Sequence, residues 1–249
     1  MKNVFRATMT TVIAVALAFS VSAQTKTTPQ KSGEKTVEEA YLQEYAEAMM
    51  VKELSKSDDK DSKLVALLYV KKALDDGRKS DELRNSLQYL VLENNQVIAR
   101  TAGLGPATNN FPDIRAKACE YLAEFPSVES KDTLVSVLRN TKSEEPMVLA
   151  EAIRTLGKIG INDNDEVVQA FAAAVNHYSD IGVSEDRLAV YTLFAFLDLA
   201  EKNHGLKDMG TVTNTIMKFT KGSYIGSVKK LAFQTLDKLI MYSANSAGK

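Results

Sequence analysis

The side chains best suited to chemistry in this chain are two histidines, one cysteine and a short run of acids and amides. His177 and His204 lie far apart in sequence, and neither has a partner at HExxH or CxxC spacing, so no metal or acid–base constellation gathers around them. His177 falls at a predicted helix end beside Asn176 and Tyr178, and His204 in the break Asn203-His204-Gly205, which makes both surface residues at helix termini. The run Asn162-Asp163-Asn164-Asp165-Glu166 alternates oxygen ligands as a calcium loop does, but lacks the central glycine and the closing glutamate of an EF-hand. Its other reading is a helix start, where one residue caps the helix and the carboxylates face its positive end.

Cys119 lies among apolar positions of a predicted helix, the setting of an inert buried thiol, and alone it cannot form an intramolecular disulfide. No GxSxG, P-loop or dinucleotide fingerprint occurs, and Gly103-Leu104-Gly105-Pro106 has no strand before it. No residue is thus assigned a catalytic, cofactor-binding or metal-binding role, and action by contact is expected.

The elements that would position such contacts begin after two leading segments. Residues 1–23 have the three parts of a cleavable export signal: basic Lys2 and Arg6, an apolar stretch from Val12 to Phe19, and small residues in Val21-Ser22-Ala23. The apolar run is about half the roughly 20 residues needed to span a bilayer. Cleavage before Gln24 would release a soluble protein to the periplasm or the exterior. Removing Lys2 and Arg6 from 31 basic residues leaves 29 against 32 acidic ones, a net charge of −3 that offers no general attraction to nucleic acid or an anionic membrane. Residues 24–36, polar and containing Pro29 and Gly33, read as a flexible spacer.

From Val37 to the end of the chain, residues 37–249, long amphipathic segments alternate with breaks, and no sustained apolar–polar alternation marks a strand; the class is all-α. Start and stop signals place helices near 37–54, 63–76, 81–93, 113–124, 127–139, 146–159, 164–178, 185–202, 209–220 and 224–242. Between the third and fourth, the glycines and prolines of TAGLGPATNNFP demand a loop. Five segments carry a central residue flanked by apolar residues four places away: Leu83-Leu87-Val91, Ile114-Ala118-Leu122, Val148-Ala152-Leu156, Ala189-Leu193-Leu197 and Val228-Ala232-Leu236. Their centres are 31, 34, 41 and 39 residues apart. A spacing of four holds each trio on one helical face, and the intervening helix would supply the antiparallel partner, so one repeat is one helix hairpin. A hairpin alone leaves an apolar side bare; stacking several makes a continuous core without disulfides.

In PDIRAKACEYLAEF (112–125), EPMVLAEAIRTLGKIG (145–160) and GSVKKLAFQTLDKLI (226–240) the chain resembles the HEAT-repeat family. That pattern has an apolar residue, often followed by a basic one, four positions before an alanine and eight before a leucine. Arg115 and Lys229 occupy the basic place; Leu149 and Val190 depart from it. The resemblance covers roughly residues 80–242 and implies a right-handed α–α superhelix, a solenoid of four to five hairpins, preceded by an extra helix. It also implies that the second helix of each pair lines the concave side, which selects Lys117, Glu120 and Glu124, then Glu151, Arg154 and Lys158, as partner-binding candidates. An ordinary solvated face is the competing reading of these residues.

Helix 185–202 is apolar almost all round, with Tyr191, Phe194 and Phe196, and is either covered on both sides or open to another copy or a partner. The loop 101–112 is a second candidate contact. The function these features imply is a non-enzymatic protein-binding scaffold of the bacterial cell envelope, with no cofactor. An accessory lyase-like or chaperone-like protein, an enzyme with an unrecognised site, and a polysaccharide binder stand as alternatives; the chain has no tryptophan for the last.

Overall fold

The computed structural model describes residues 36–96 and 110–246, and these form ten α-helices and no strand. They are α1 (Val37–Lys56), α2 (Lys60–Asp75), α3 (Asp81–Gln96), α4 (Pro112–Leu122), α5 (Val128–Arg139), α6 (Pro146–Ile159), α7 (Glu166–Asp180), α8 (Asp186–Lys202), α9 (Met209–Lys221) and α10 (Gly226–Ser246). The export signal, nearly all of the spacer and most of the loop 101–112 lie outside the described residues.

The local chemistry of the helix starts explains the boundaries. Thr36 and Glu39 form a reciprocal capping box at α1, with bonds of 3.2 and 3.1 Å. Asp59 accepts from the Ser62 amide at 2.8 Å, so α2 starts at Lys60, earlier than the charged segment suggested. Pro112 and Pro146 each stand at the first position of a helix, where no amide proton is missed. Gly160 ends α6 with φ 80°, a left-handed conformation that costs glycine little.

Successive helices pair as hairpins α1/α2, α3/α4, α5/α6, α7/α8 and α9/α10. The odd-numbered helices then pack in series as one layer, and α2, α4, α6, α8 and α10 as the second. The helix expected to stand apart at the start, α1, is the first member of the first hairpin. In the middle of the stack the second-layer helices lie along one another over a longer stretch than the first-layer ones. Gly157 permits this: a Cβ there would lie 2.6 Å from the Cα of Ala195, so α6 seats directly on the backbone of α8. Closer spacing in one layer bends a stack toward it.

The trios Ile114-Ala118-Leu122 and Val148-Ala152-Leu156 are fully buried, as their spacing predicts. Two placements need correction. Leu83-Leu87-Val91 is buried but belongs to α3, a first-layer helix, so it is not equivalent to the others; the corresponding second helix is α2, which buries Ala66 and Val70. Both helices of a hairpin bury a stripe at four-residue spacing, so spacing alone cannot tell first from second. In α8 the trio sits one residue late: the buried pattern of α6 (148, 152, 155, 159) recurs in α8 (188, 192, 195, 199) and in α10 (228, 232, 235, 239), each step being 40 residues. Leu197 is only half-buried, whereas Phe196 is buried. Two adjacent apolar stripes run along α8, and a pattern search can lock onto either.

Charged groups also cross the core. The Arg115 guanidinium, fully buried, makes a bidentate pair with buried Glu144 at 2.7 and 2.9 Å, and its Nε donates to the Val91 carbonyl at 3.0 Å. Lys63 at the same place in α2 pairs with Glu93 at 2.7 Å and donates to the Ser55 carbonyl at 2.9 Å. Each cation thus also donates to a carbonyl of the preceding first-layer helix and ties two hairpins together.

Candidate functional site

Each second-layer helix of the mid-stack has two buried stripes and one face left over. One stripe meets the preceding hairpin: Thr155 of α6 donates to the Cys119 carbonyl of α4 at 2.9 Å, and Ala195 of α8 lies under Gly157. The other stripe meets the following hairpin. The face that remains carries Lys117 and Glu120 on α4 with Glu124 in the turn after it, Glu151, Arg154 and Lys158 on α6, and, 40 residues on, Tyr191, Phe194 and Asp198 on α8. The six residues that the resemblance selects therefore lie along one continuous surface, and α8 extends it.

Cations on this surface are stacked on aromatic rings. Lys117 Nζ lies 5.1 Å from the Tyr121 ring centre, the Arg154 guanidinium 5.5 Å from Phe194, and that of Arg187 5.4 Å from Tyr191. Lys117 also pairs with Glu120 at 2.7 Å, and Arg154 with Asp198 at 2.6 Å across α6 and α8. Lys158 borders a cleft shared with Lys71 and Asp75 of α2, with Tyr121 of α4 and with Glu124 in the turn after it. Glu151 differs from the rest. It is only 9% exposed, accepts no side-chain hydrogen bond from a described residue, and burial, followed by the nearby Glu120 carboxylate, pushes its carboxyl above the usual range.

Other sequence candidates resolve into structural parts. In the acidic run, Asn162 caps α7 by accepting from the Val167 amide at 3.3 Å; Asp165 accepts from Asn162 Nδ2 and from the Asp208 amide, each at 2.8 Å. Glu166 takes the Lys131 ammonium at 2.5 Å. The run thus joins the turn before α7 to α5 and to the turn before α9. His177 is half-buried in the last turn of α7, and His204 is exposed in the turn after α8, at opposite ends of that hairpin. Cys119 is fully buried, and burial pushes its thiol far up, as fits an inert group.

Helix α8 is covered by α6 on one side and α10 on the other, so the apolar girth of 185–202 is accounted for by burial. Phe194, 38% exposed and stacked on Arg154, is its one exposed large apolar residue, which leaves little surface for association of copies through this helix. In the sequence, Tyr191 and Phe194 are hidden within the apolar run of α8. Their signal is positional: they stand 40 residues beyond Glu151 and Arg154.

Comparison with known families finds the model of the HEAT repeats matching residues 101–189, which takes in α4 to α7 and the start of α8. Searches of curated proteins and of solved structures return no match. Residues 101–189 thus carry HEAT repeats, and the hairpins on either side of them continue the same two-layer stack.

Proposed function

We propose that this protein is an interaction scaffold of the bacterial cell envelope that binds a protein partner across the second-layer face of α4, α6 and α8. HEAT repeats in general serve as protein-interaction scaffolds rather than as enzymes. The observation that carries the reading is Glu151, a carboxylate desolvated by its own helix surroundings yet without a hydrogen-bonding partner, in the centre of a surface of exposed ion pairs and ring-stacked cations. Such a group costs the isolated fold some stability, and a donor or cation supplied by a partner would relieve it. Lys117, Glu120, Arg154 and Lys158 surround it as a polar rim. The envelope assignment rests on the export signal read in residues 1–23, which would place the mature chain in the periplasm or outside the cell.

The test is photo-crosslinking from position 120 in intact cells, with identification of the attached protein, followed by recovery of that protein with Arg154→Glu and Lys158→Glu chains. Lys158 is exposed, so Lys158→Glu should lower recovery with the unfolding midpoint unchanged, whereas Arg154→Glu also loses its pair with Asp198 and should lower the midpoint slightly, by about 1 kcal/mol or less. Undiminished recovery with both variants would overturn the site assignment.

A further inference from the structure

The 40-residue equivalence of α8 and α10 exposes a mismatch at the end of the stack. In α8 the stripe facing the next hairpin is Ala189, Leu193, Phe196 and Ala200, all fully buried. The same places in α10 hold Lys229, Phe233, Leu236 and Ile240; Phe233 is 55% exposed and Leu236 half-buried. A terminal repeat that ends a stack in water carries a polar outer stripe. Here the outer stripe keeps the apolar character of an internal one.

The opposite end shows a matching feature. Helix α1 buries only Ala48, Val51 and Ser55 toward α2 and α3, and presents Leu42, Tyr45 and Met49 outward, with Tyr45 56% exposed. Ahead of them stands Glu38. The series Glu38, Leu42, Tyr45, Met49 has the same steps of four, three and four as Lys229, Phe233, Leu236, Ile240. Two helices laid side by side in the same direction would set Leu42 by Phe233, Tyr45 by Leu236 and Glu38 by Lys229. Neither Glu38 nor Lys229 forms an ion pair with a described residue. The helices are also opposite in charge: α1 has five glutamates against two lysines, and α10 three lysines against one aspartate.

The geometry points to head-to-tail association of copies of this chain, α10 of one packing on α1 of the next. An antiparallel pairing of α10 with itself would instead set each Lys229 directly opposite an apolar side chain, Ile240. Because the two faces differ, the contact is heterologous and propagates into open chains rather than closing as a pair. This is independent of the partner-binding face on α4, α6 and α8, which remains accessible along such a chain.

Sedimentation velocity of the purified chain over a range of concentrations tests it. The intact protein should grow in mass with concentration. Phe233→Glu and Tyr45→Glu, both at exposed positions, should each weaken association by more than roughly tenfold while leaving the unfolding midpoint in place. Mixed in equal amounts, the two variants should form discrete two-chain complexes, since each retains one intact face. Glu38→Lys and Lys229→Glu should weaken association singly and restore it when present on opposing faces. A wild-type chain that stays monomeric throughout overturns the proposal. So does a mixture that stays monomeric, or an association abolished by Phe233→Glu but untouched by Tyr45→Glu, which would mark a pairing of α10 with itself.

Discussion

Replacing Arg115 by Met tests the view that the hairpins are fastened by buried charge as well as by apolar stacking. The substitution keeps the unbranched apolar stem but removes the guanidinium, leaving the buried Glu144 carboxylate without its two bonds of 2.7 and 2.9 Å and the Val91 carbonyl without its side-chain donor. Breaking one side of a buried pair costs about 3–5 kcal/mol. In a domain of this size each kcal/mol lowers the midpoint by about 2–4 °C, so a fall on the order of 10 °C is expected. Thermal and urea unfolding followed by far-UV circular dichroism measure it. Hydrogen exchange should place the loss at the junction of α4 with α3 and with the α5–α6 turn, because hairpins in a stack are coupled chiefly to their neighbours. The double variant Arg115→Met, Glu144→Met removes both charges and should recover all but about 1–2 kcal/mol. A single variant as stable as wild type, or a double variant worse than the single one, would refute the reasoning.

Gly157→Ala should destabilise by about 1–3 kcal/mol, because the new Cβ meets the Ala195 backbone, even though alanine favours helix by about 1 kcal/mol; a raised denaturant midpoint would show that α6 and α8 can part freely. Cys119 should resist thiol reagents in the native protein and react fully in denaturant; rapid labelling of the folded chain would contradict its burial. Glu151 has a carboxyl raised by burial, so its contribution to stability is present in acid, below its usual value of 4.5, and is lost as pH rises through the higher folded value. Glu151→Gln should therefore raise the unfolding midpoint at neutral pH and have little effect in acid; identical neutral midpoints would remove Glu151 from its special place on the surface.

Much of this architecture follows from the chain read in order. Helix limits are set locally, by Thr36 and Asp59 as caps, by Pro112 and Pro146 at first positions and by Gly160 at an end, and such signals act within one turn. The stripes at four-residue spacing specify that the helices stack, and the charged places 117, 120, 151, 154 and 158 fall on one surface because the repeat offset carries each helix into register with the last.

The tertiary structure alone decided which stripe meets which neighbour. Leu83-Leu87-Val91 and Ile114-Ala118-Leu122 look equivalent in one dimension, and only the packing of α3 with α1 and α5 separates them. The pairing of Arg115 with Glu144, 29 residues on, has no local signature, since a bidentate bond depends on where the α5–α6 turn comes to rest. The environment of Glu151 is likewise decided in three dimensions: of the cations near it, Arg154 pairs with Asp198 and Arg187 stacks on Tyr191. Short-range geometry is encoded by neighbouring residues; the burial and pairing of a charge depend on every element that surrounds it.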